Sequence, residues 1–301
     1  MTRRDAAAVA KPALNSEWIV RKTLFVFAMT TVLGIILVIF FVARESIPAL
    51  RQVGWSNIFL SATWNPNVSN PATGHYGLLV PLAGTLAATL GGIIIGGPLA
   101  IGTAIFLTQI APPRTGKLVV RGIELLAGIP SVIFGWIGLV VLVPMLARVT
   151  NTQGYGILAA SFILGIMIIP TVTTIAKDAL ETVPEEYKQA SFGMGATRWQ
   201  TIYKVILPSA KEGLLVALIL GIGRAIGETM AVQLVIGNAR QFPNSLTSVT
   251  STLTSRIVTD MGESTGAFRS ALFVQGLVLL IMAMVIILLI RLVTRKTVKA
   301  A

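Results

Sequence analysis

Arg224 and Glu228 stand four residues apart inside an apolar run, residues 214–236. If that run is one helix, the arginine lies about ten residues in, roughly 15 Å deep at about 1.5 Å per residue. A charge at that depth in hydrocarbon costs on the order of 2.5–3.5 kcal/mol, so something must compensate it. Glu228 falls on the same helix face. One reading is a structural ion pair that neutralises itself and locks helix packing. The other is an arginine lining a route for an anion, with Glu228 orienting it or holding it while the route is empty. Guanidinium suits oxyanions because its planar fork makes two charge-assisted bonds. Glu124, near the end of another apolar run, either joins that route or snorkels and pairs with Arg121.

Other chemistry has little to work with. The chain has no cysteine and a single histidine, His75, which removes disulfides, thiolate catalysis and multi-histidine metal sites. It has no GxxxxGK[ST] loop to cradle a nucleotide. No nucleophile–base pair or paired carboxylates fall within an apolar run, so an enzyme is not expected.

The elements that must hold these charges are membrane helices. Hydrophobic residues make up 54% and charged residues 12%, against roughly 25% charged in soluble domains. Apolar runs at 24–43, 78–110, 119–147, 155–175, 214–236 and 268–292 are long enough to span a bilayer. The expected fold class is an all-α integral membrane protein with six transmembrane helices. A polar arm, 1–22, precedes the first run, which Arg44 and Glu45 follow in place of a cleavage site. The remaining five spans, 78–292, form the core, and a basic tail occupies 293–301. Pro130 and Pro144 are expected to kink the third span, and the 96–102 segment to bend the second. Gly84, Gly91, Gly92, Gly96 and Gly97 suit close helix packing. Connector 44–77 carries Trp55, Trp64 and Tyr76 as expected interface anchors. Residues 111–117 read as a basic turn and 237–267 as a Ser/Thr-rich connector.

Six spans put both termini on one side with loop 176–212. That side carries 17 of the 24 Lys and Arg residues and the other side 6, Arg224 lying within a span. The positive-inside rule then places the termini in the cytoplasm and accounts for most of the +12 net charge. The basic–aromatic interleaving of a nucleic-acid binder is absent, so no nucleic acid is expected.

Residues 182–208, TVPEEYKQASFGMGATRWQTIYKVILP, are the longest polar interruption in the second half of the chain. Thr182 with Glu185, and Thr197 with Gln200, have capping-box spacing. Gly193 and Gly195 break the helix between them, and Pro208 marks an end or a bend. Two capped helices with a glycine tip are either an idle interfacial loop or an element that inserts into a soluble partner and transmits a push. The stretch resembles the EAA motif of ATP-binding-cassette importer permeases. Gln189, Ala190 and Ser191 match its opening, Gly195 its glycine, and Val205, Leu207 and Pro208 its close. Gln189 stands where the pattern has its acid.

The segments at 123–144 (IELLAGIPSVIFGWIGLVVLVP) and 221–238 (GIGRAIGETMAVQLVIGN) resemble the signatures of PstC-type phosphate permeases. So do GTLAATLGGIIIGGPLAIGTAIFLTQIAPP and the WNP…YG connector, and the likeness runs from about Trp55 to the tail. The resemblance implies a MetI-like type I importer fold and one of two transmembrane subunits of an ATP-driven phosphate importer. It implies a PstA-type second permease, an ATPase dimer that binds the ATP and magnesium, and an extracytoplasmic phosphate-binding protein. No cofactor is expected in this subunit. By the same resemblance Arg224 and Glu228 attend phosphate passage and 189–208 contacts the ATPase. A permease for sulfate or molybdate, or a stand-alone channel or ion-driven carrier, are the alternatives.

Overall fold

The computed structural model describes residues 14–67, 70 and 73–298. Arg3, Arg4 and Lys11 of the basic arm and Lys299 of the tail lie outside the described residues. Among the described residues, six helical stretches are long and apolar enough to cross a membrane: Trp18–Gln52, Leu79–Ile110, Ser131–Thr150, Ile157–Glu181, Arg198–Ile226 and Gly266–Leu292.

The first helix, α1 (Leu14–Gln52), runs nine residues past the expected apolar span. Its apolar side chains are largely exposed, as hydrocarbon-facing residues are. After the short α2 (Trp55–Phe59), strands β1 (Trp64–Asn65) and β2 (His75–Tyr76) pair antiparallel, Trp64 opposite Tyr76. The expected interface anchors therefore part company. Trp55 is exposed, whereas Trp64 and Tyr76 are buried with Ala49, Ile58 and Phe268 in a small second core. Tyr76 stacks on Phe268 at 5.8 Å between ring centres. Burial raises the Tyr76 phenol pKa above its ordinary value.

Helix α3 (Leu79–Ile105) stays α-helical through Pro98 and the 96–102 segment. It packs against α7 (Ile157–Glu181), the most buried of the six spans. The small residues bring these two backbones together. A β-carbon on Gly96 would overlap the Gly165 carbonyl, and one on Gly92 would meet Leu164 Cβ at 2.8 Å. On its other side α7 meets α10 (Leu207–Ile226), and α13 (Gly266–Val298) closes the bundle against α10 and α1.

Prolines mark the departures from α geometry. Five-residue π-helical turns occur at Phe106–Ile110, Gly138–Leu142 and Ile202–Ile206. Each ends two residues before a proline: Pro112, Pro144 and Pro208. Proline has no N–H to donate and its ring crowds the carbonyl four residues back. Before Pro144 and Pro208, which lie in the helices that follow, a widened turn accommodates both, whereas before Pro112 the chain leaves the helix, Ala111 being extended (ψ 131°). Pro130 acts more strongly. It forces Ile129 into extended backbone (φ −72°, ψ 127°), and so divides the expected third span. The first part, α4 (Pro113–Gly128), is a separate helix that begins inside the expected basic turn. Only α5 (Ser131–Ile137), the π turn and α6 (Val143–Thr150) form the third span.

The Ser/Thr-rich connector is not an open loop. After α11 (Met230–Ile236), the chain folds back onto the bundle and forms α12 (Leu253–Asp260). Thr250, Ser251, Thr252, Leu253 and Ser255 are all buried. The Leu253 amide donates to Thr85 Oγ1 in α3 at 2.9 Å, and the Thr252–Ser255 capping box starts the helix. Arg256 is 2% exposed and Asp260 6%. The guanidinium donates to Ser251 Oγ at 2.8 Å and to the carbonyls of Ala239 and Asn238 at 3.0 and 3.2 Å. Its other nitrogen lies 3.8 Å from Asp260, which also accepts from the Trp64 indole at 2.8 Å. Burial lowers the Arg256 pKa from its ordinary value, Asp260 opposes this, and neighbouring Arg240 adds to the lowering. This network ties the strand pair, α12 and the loop after α11 into one unit.

Removing one member of a buried pair strands the other charge, at a cost of about 3–5 kcal/mol. Asp260→Ala is therefore expected to lower the thermal midpoint of the detergent-solubilised protein well below that of Trp64→Phe, which loses one hydrogen bond worth about 1 kcal/mol. Equal midpoints for the two variants would contradict the central place given to Asp260.

Candidate functional site

The helix carrying Arg224 ends two residues later. α10 stops at Ile226, Gly227–Thr229 is non-helical, and α11 begins at Met230. The expected single helix over 214–236, with Arg224 and Glu228 on one face, is therefore corrected to two half-helices. Glycines at 221, 223 and 227 weaken the helix here. The Glu228 carboxylate offers the chain an alternative: its Oε1 accepts the Ala231 amide N–H at 3.2 Å, at the start of α11. Among the described residues no ion pair joins Arg224 to Glu228. The self-neutralising helical pair is thus not what forms.

Each charge instead suits its own helix end. Arg224 occupies the last turn of α10, where the dipole is negative, and Glu228 precedes α11, where it is positive. Arg224 is exposed on this chain and donates through Nη1 to Thr171 Oγ1 at 3.1 Å. Nothing in the sequence marks Thr171, because only the antiparallel packing of α7 on α10 brings it near.

Contacts along α7 give the depth of the break. Thr171 lies about 21 Å from one end of α7 and about 15 Å from the other at about 1.5 Å per residue. Beyond the break, the Val235 carbonyl accepts the Gly156 amide at 3.1 Å, just before α7 begins. The fifth span thus rises to mid-height as α10, breaks, and finishes as α11. Non-helical backbone at such depth is tolerated only where protein buries it or it lines a wet cavity. Behind the break a cleft of about 440 Å³ opens between α10, α12 and α13, bordered by Gly227, Thr229 and Thr254. Thr254 Oγ1 donates to the Glu228 carbonyl at 3.0 Å, joining the folded-back connector to the broken span.

Glu124 is not part of this group. It lies on α4, outside the third span, exposed in a cleft of about 370 Å³ with Lys117, Arg121 and Lys177. No ion pair joins it to Arg121 among the described residues.

The stretch 182–208 forms the expected hairpin with one cap altered. Thr182 closes α7, donating to the Ala179 carbonyl at 2.8 Å, and Pro184 precedes α8 (Glu185–Gly193) without a side-chain cap. The Thr197–Gln200 capping box does form and starts α9 (Arg198–Thr201). Gly195 supplies the turn with φ +78°, a conformation glycine adopts without steric cost. Ser191 and Thr201 hydroxyls meet at 2.9 Å and cross-brace the two helices. Ile202 and Ile206 are buried in the main core, while Tyr187, Phe192, Trp199 and Tyr203 are exposed and Met194 is 90% exposed. Gln189 and Ala190 are also exposed, Leu207 half-buried, and Pro208 exposed next to the π turn. A concavity of about 590 Å³ is lined by Ala190, Ser191, Gly195 and their neighbours. The hairpin thus presents a patch of exposed apolar side chains, of the kind that marks interaction sites. Arg198 donates to the Gln109 carbonyl and so links this hairpin to the π turn that ends the second span.

Residues 92–299 match the family described as "Binding-protein-dependent transport system inner membrane component". The chain is 45% identical over 234 residues to the "Probable ABC transporter permease protein YqgH" of Bacillus subtilis, covering 77% of this chain and 75% of that one. It is 37% identical over 264 residues to the "Phosphate transport system permease protein PstC" of Xylella fastidiosa, covering 81% and 80%. The protein so named in Haemophilus influenzae is 32% identical over 305 residues, covering 94% and 95%. Among solved structures, a bacterial alginate ABC transporter superposes with TM-score 0.62 at 16% identity, over 94% of this chain and 98% of that one. The MetNI methionine ABC transporter superposes with TM-score 0.54 at 20% identity, over 72% and 95%. These structural likenesses establish the fold, that of a type I importer permease. The chain is a multi-pass membrane protein belonging to the binding-protein-dependent transport system inner membrane component family, as a PstC-type permease.

Proposed function

We propose that this chain is one of two membrane-spanning halves of an ATP-driven phosphate importer. The observation that carries the reading is a guanidinium at mid-height of the bundle, exposed beside a helix break and, among the described residues, held by one neutral hydroxyl rather than by a carboxylate. A strong ion pair would compete with a passing anion, whereas a single bond to Thr171 leaves donors of the fork free. Broken helices at the midplane are a recurring way to build a substrate site in a membrane. Glu228 stands on the other side of the break and repels the anion from resting there.

The exposed face bearing Arg224 meets a second, PstA-type permease, and the route lies between the two. Both termini and the hairpin are cytoplasmic. An ATPase dimer grips Gln189, Ala190, Ser191 and Gly195 and supplies the ATP and magnesium chemistry. An extracytoplasmic phosphate-binding protein docks over the strand pair and the loop after α11. Closure of the ATPase dimer pushes on the hairpin, and α9, the π turn and α10 carry the movement to Arg224 as one helical stretch of 29 residues.

Arg224→Gln is expected to abolish labelled phosphate uptake in the reconstituted complex while assembly persists, and Arg224→Lys to restore little of it, because lysine keeps charge but loses the fork. Wild-type uptake by a correctly inserted Arg224→Gln protein would defeat the pathway role. Competition by unlabelled sulfate or molybdate as strong as that by phosphate would defeat the phosphate assignment. At the hairpin tip, nothing lies within 4 Å of a β-carbon on Gly195, so its φ of +78° is the only obstacle to a side chain. Gly195→Asn, which tolerates that φ, is expected to keep phosphate-stimulated ATP hydrolysis, and Gly195→Val to lose it. Equal stimulation in both would remove the hairpin from the coupling path.

A further inference from the structure

A second convergence of charge lies farther along α7. The cleft holding Glu124 opens between α4, the π turn Phe106–Ile110 and α7, and three cations face into it: Lys117, Arg121 and Lys177. Lys177 is paired with Glu181 at 2.9 Å, but among the described residues Lys117, Arg121 and Glu124 have no ion-pair partner. Lys117 and Arg121 are one helical turn apart, a spacing at which like charges repel by a few tenths of a kcal/mol. A bound anion would relieve that repulsion.

One spacing and one contact connect the cleft to the machinery already described. Thr171, Thr174 and Lys177 follow one another at three-residue spacing along α7, none of them buried. They lead from the hydroxyl that holds Arg224 to the cleft, about 9 Å along the helix axis at about 1.5 Å per residue. In addition, the π turn that walls the cleft is the one whose Gln109 carbonyl Arg198 of the hairpin holds.

We infer that this cleft is a second anion site, which takes a phosphate group on the cytoplasmic side and slows the next transport cycle while it remains occupied. The inference rests on the phosphate-importer reading. Lys117 and Arg121 supply donors to the charged oxygens, with Lys177 as the third cation. Glu124, an acceptor only, takes the hydrogen bond that monohydrogen phosphate can donate and that sulfate cannot. Because the cleft shares its wall with the hairpin's anchor, occupancy bears on the movement the ATPase drives. The phosphate group has two possible sources, free phosphate delivered past Arg224 and the headgroup of an anionic lipid, since Leu118 and Leu125 are exposed beside the cations.

The test uses the full complex with its binding protein in phosphatidylcholine proteoliposomes, measuring initial uptake of labelled phosphate with and without phosphate trapped inside. For the wild type, trapped phosphate is expected to reduce uptake several-fold. In the double variant Lys117→Gln, Arg121→Gln, two exposed changes on α4, that reduction is expected to vanish. A parallel series replaces part of the phosphatidylcholine with phosphatidylglycerol and traps no phosphate. A lipid effect confined to the wild type, without a trapped-phosphate effect, would identify a headgroup as the occupant and overturn the product role. Identical responses of wild type and variant in both series would overturn the site itself. Failure of the wild type to take up any phosphate would instead overturn the importer reading, and this site's role with it.

Discussion

A polypeptide inside hydrocarbon has to satisfy its own main-chain hydrogen bonds, and the fifth span shows how this chain meets that constraint while breaking a helix. At the break, the Glu228 amide donates to the Ala225 carbonyl, the Glu228 carbonyl accepts from Thr254, and the Gly227 carbonyl accepts from the Thr229 hydroxyl. The protein thus answers the exposed backbone locally. That leaves the Arg224 fork and the second Glu228 oxygen as groups a solute can meet. The folded-back connector is part of the same solution, because α12 delivers the hydroxyl of Thr254 to the break. Its own buried charge, Arg256, is held by carbonyls, a serine and Asp260.

The same constraint shapes force transmission. A helix that runs unbroken from the hairpin to mid-membrane behaves as a strut, and its one irregularity, the π turn before Pro208, sits at the hairpin end. Ile202 and Ile206 plug that turn into the core, so the hairpin does not swing independently of the bundle. Ser191 and Thr201 brace its two helices. On the proposed reading, a push on the outer, apolar face would therefore arrive at the end of α10, where the guanidinium is.

Much of this was legible in the residues. Hydropathy gives six spans, small residues along the second suit a close helix contact, and Thr197, Gln200 and Gly195 specify half of the hairpin. The i,i+4 spacing pairs two charges only where a helix joins them. Arg224 and Glu228 have i,i+4 spacing but no helix between them, whereas Arg256 and Asp260 have the same spacing, lie in a helix and do pair. The difference lies in the glycines around Arg224 and in contacts from α7 and α12 that are distant in sequence. In the connector, serine and threonine satisfy one another and the backbone in a buried turn, which composition alone does not announce. Pro130 was legible as a kink but acts as a boundary, which moved Glu124 out of the membrane span.

On the proposed reading, the break at 227–229 lines a hydrated route used by the substrate. The natural absence of cysteine makes it directly measurable. Gly227 has a negative φ (−82°) and ordinary van der Waals room for a β-carbon, so Gly227→Cys gives this chain a single thiol, placed at the break. Membrane-impermeant thiol reagents applied to the reconstituted, cycling complex should label it, and phosphate with its binding protein should change the labelling rate. A thiol that stays unreactive in every nucleotide state, while the complex transports normally, would show that no aqueous path passes the break.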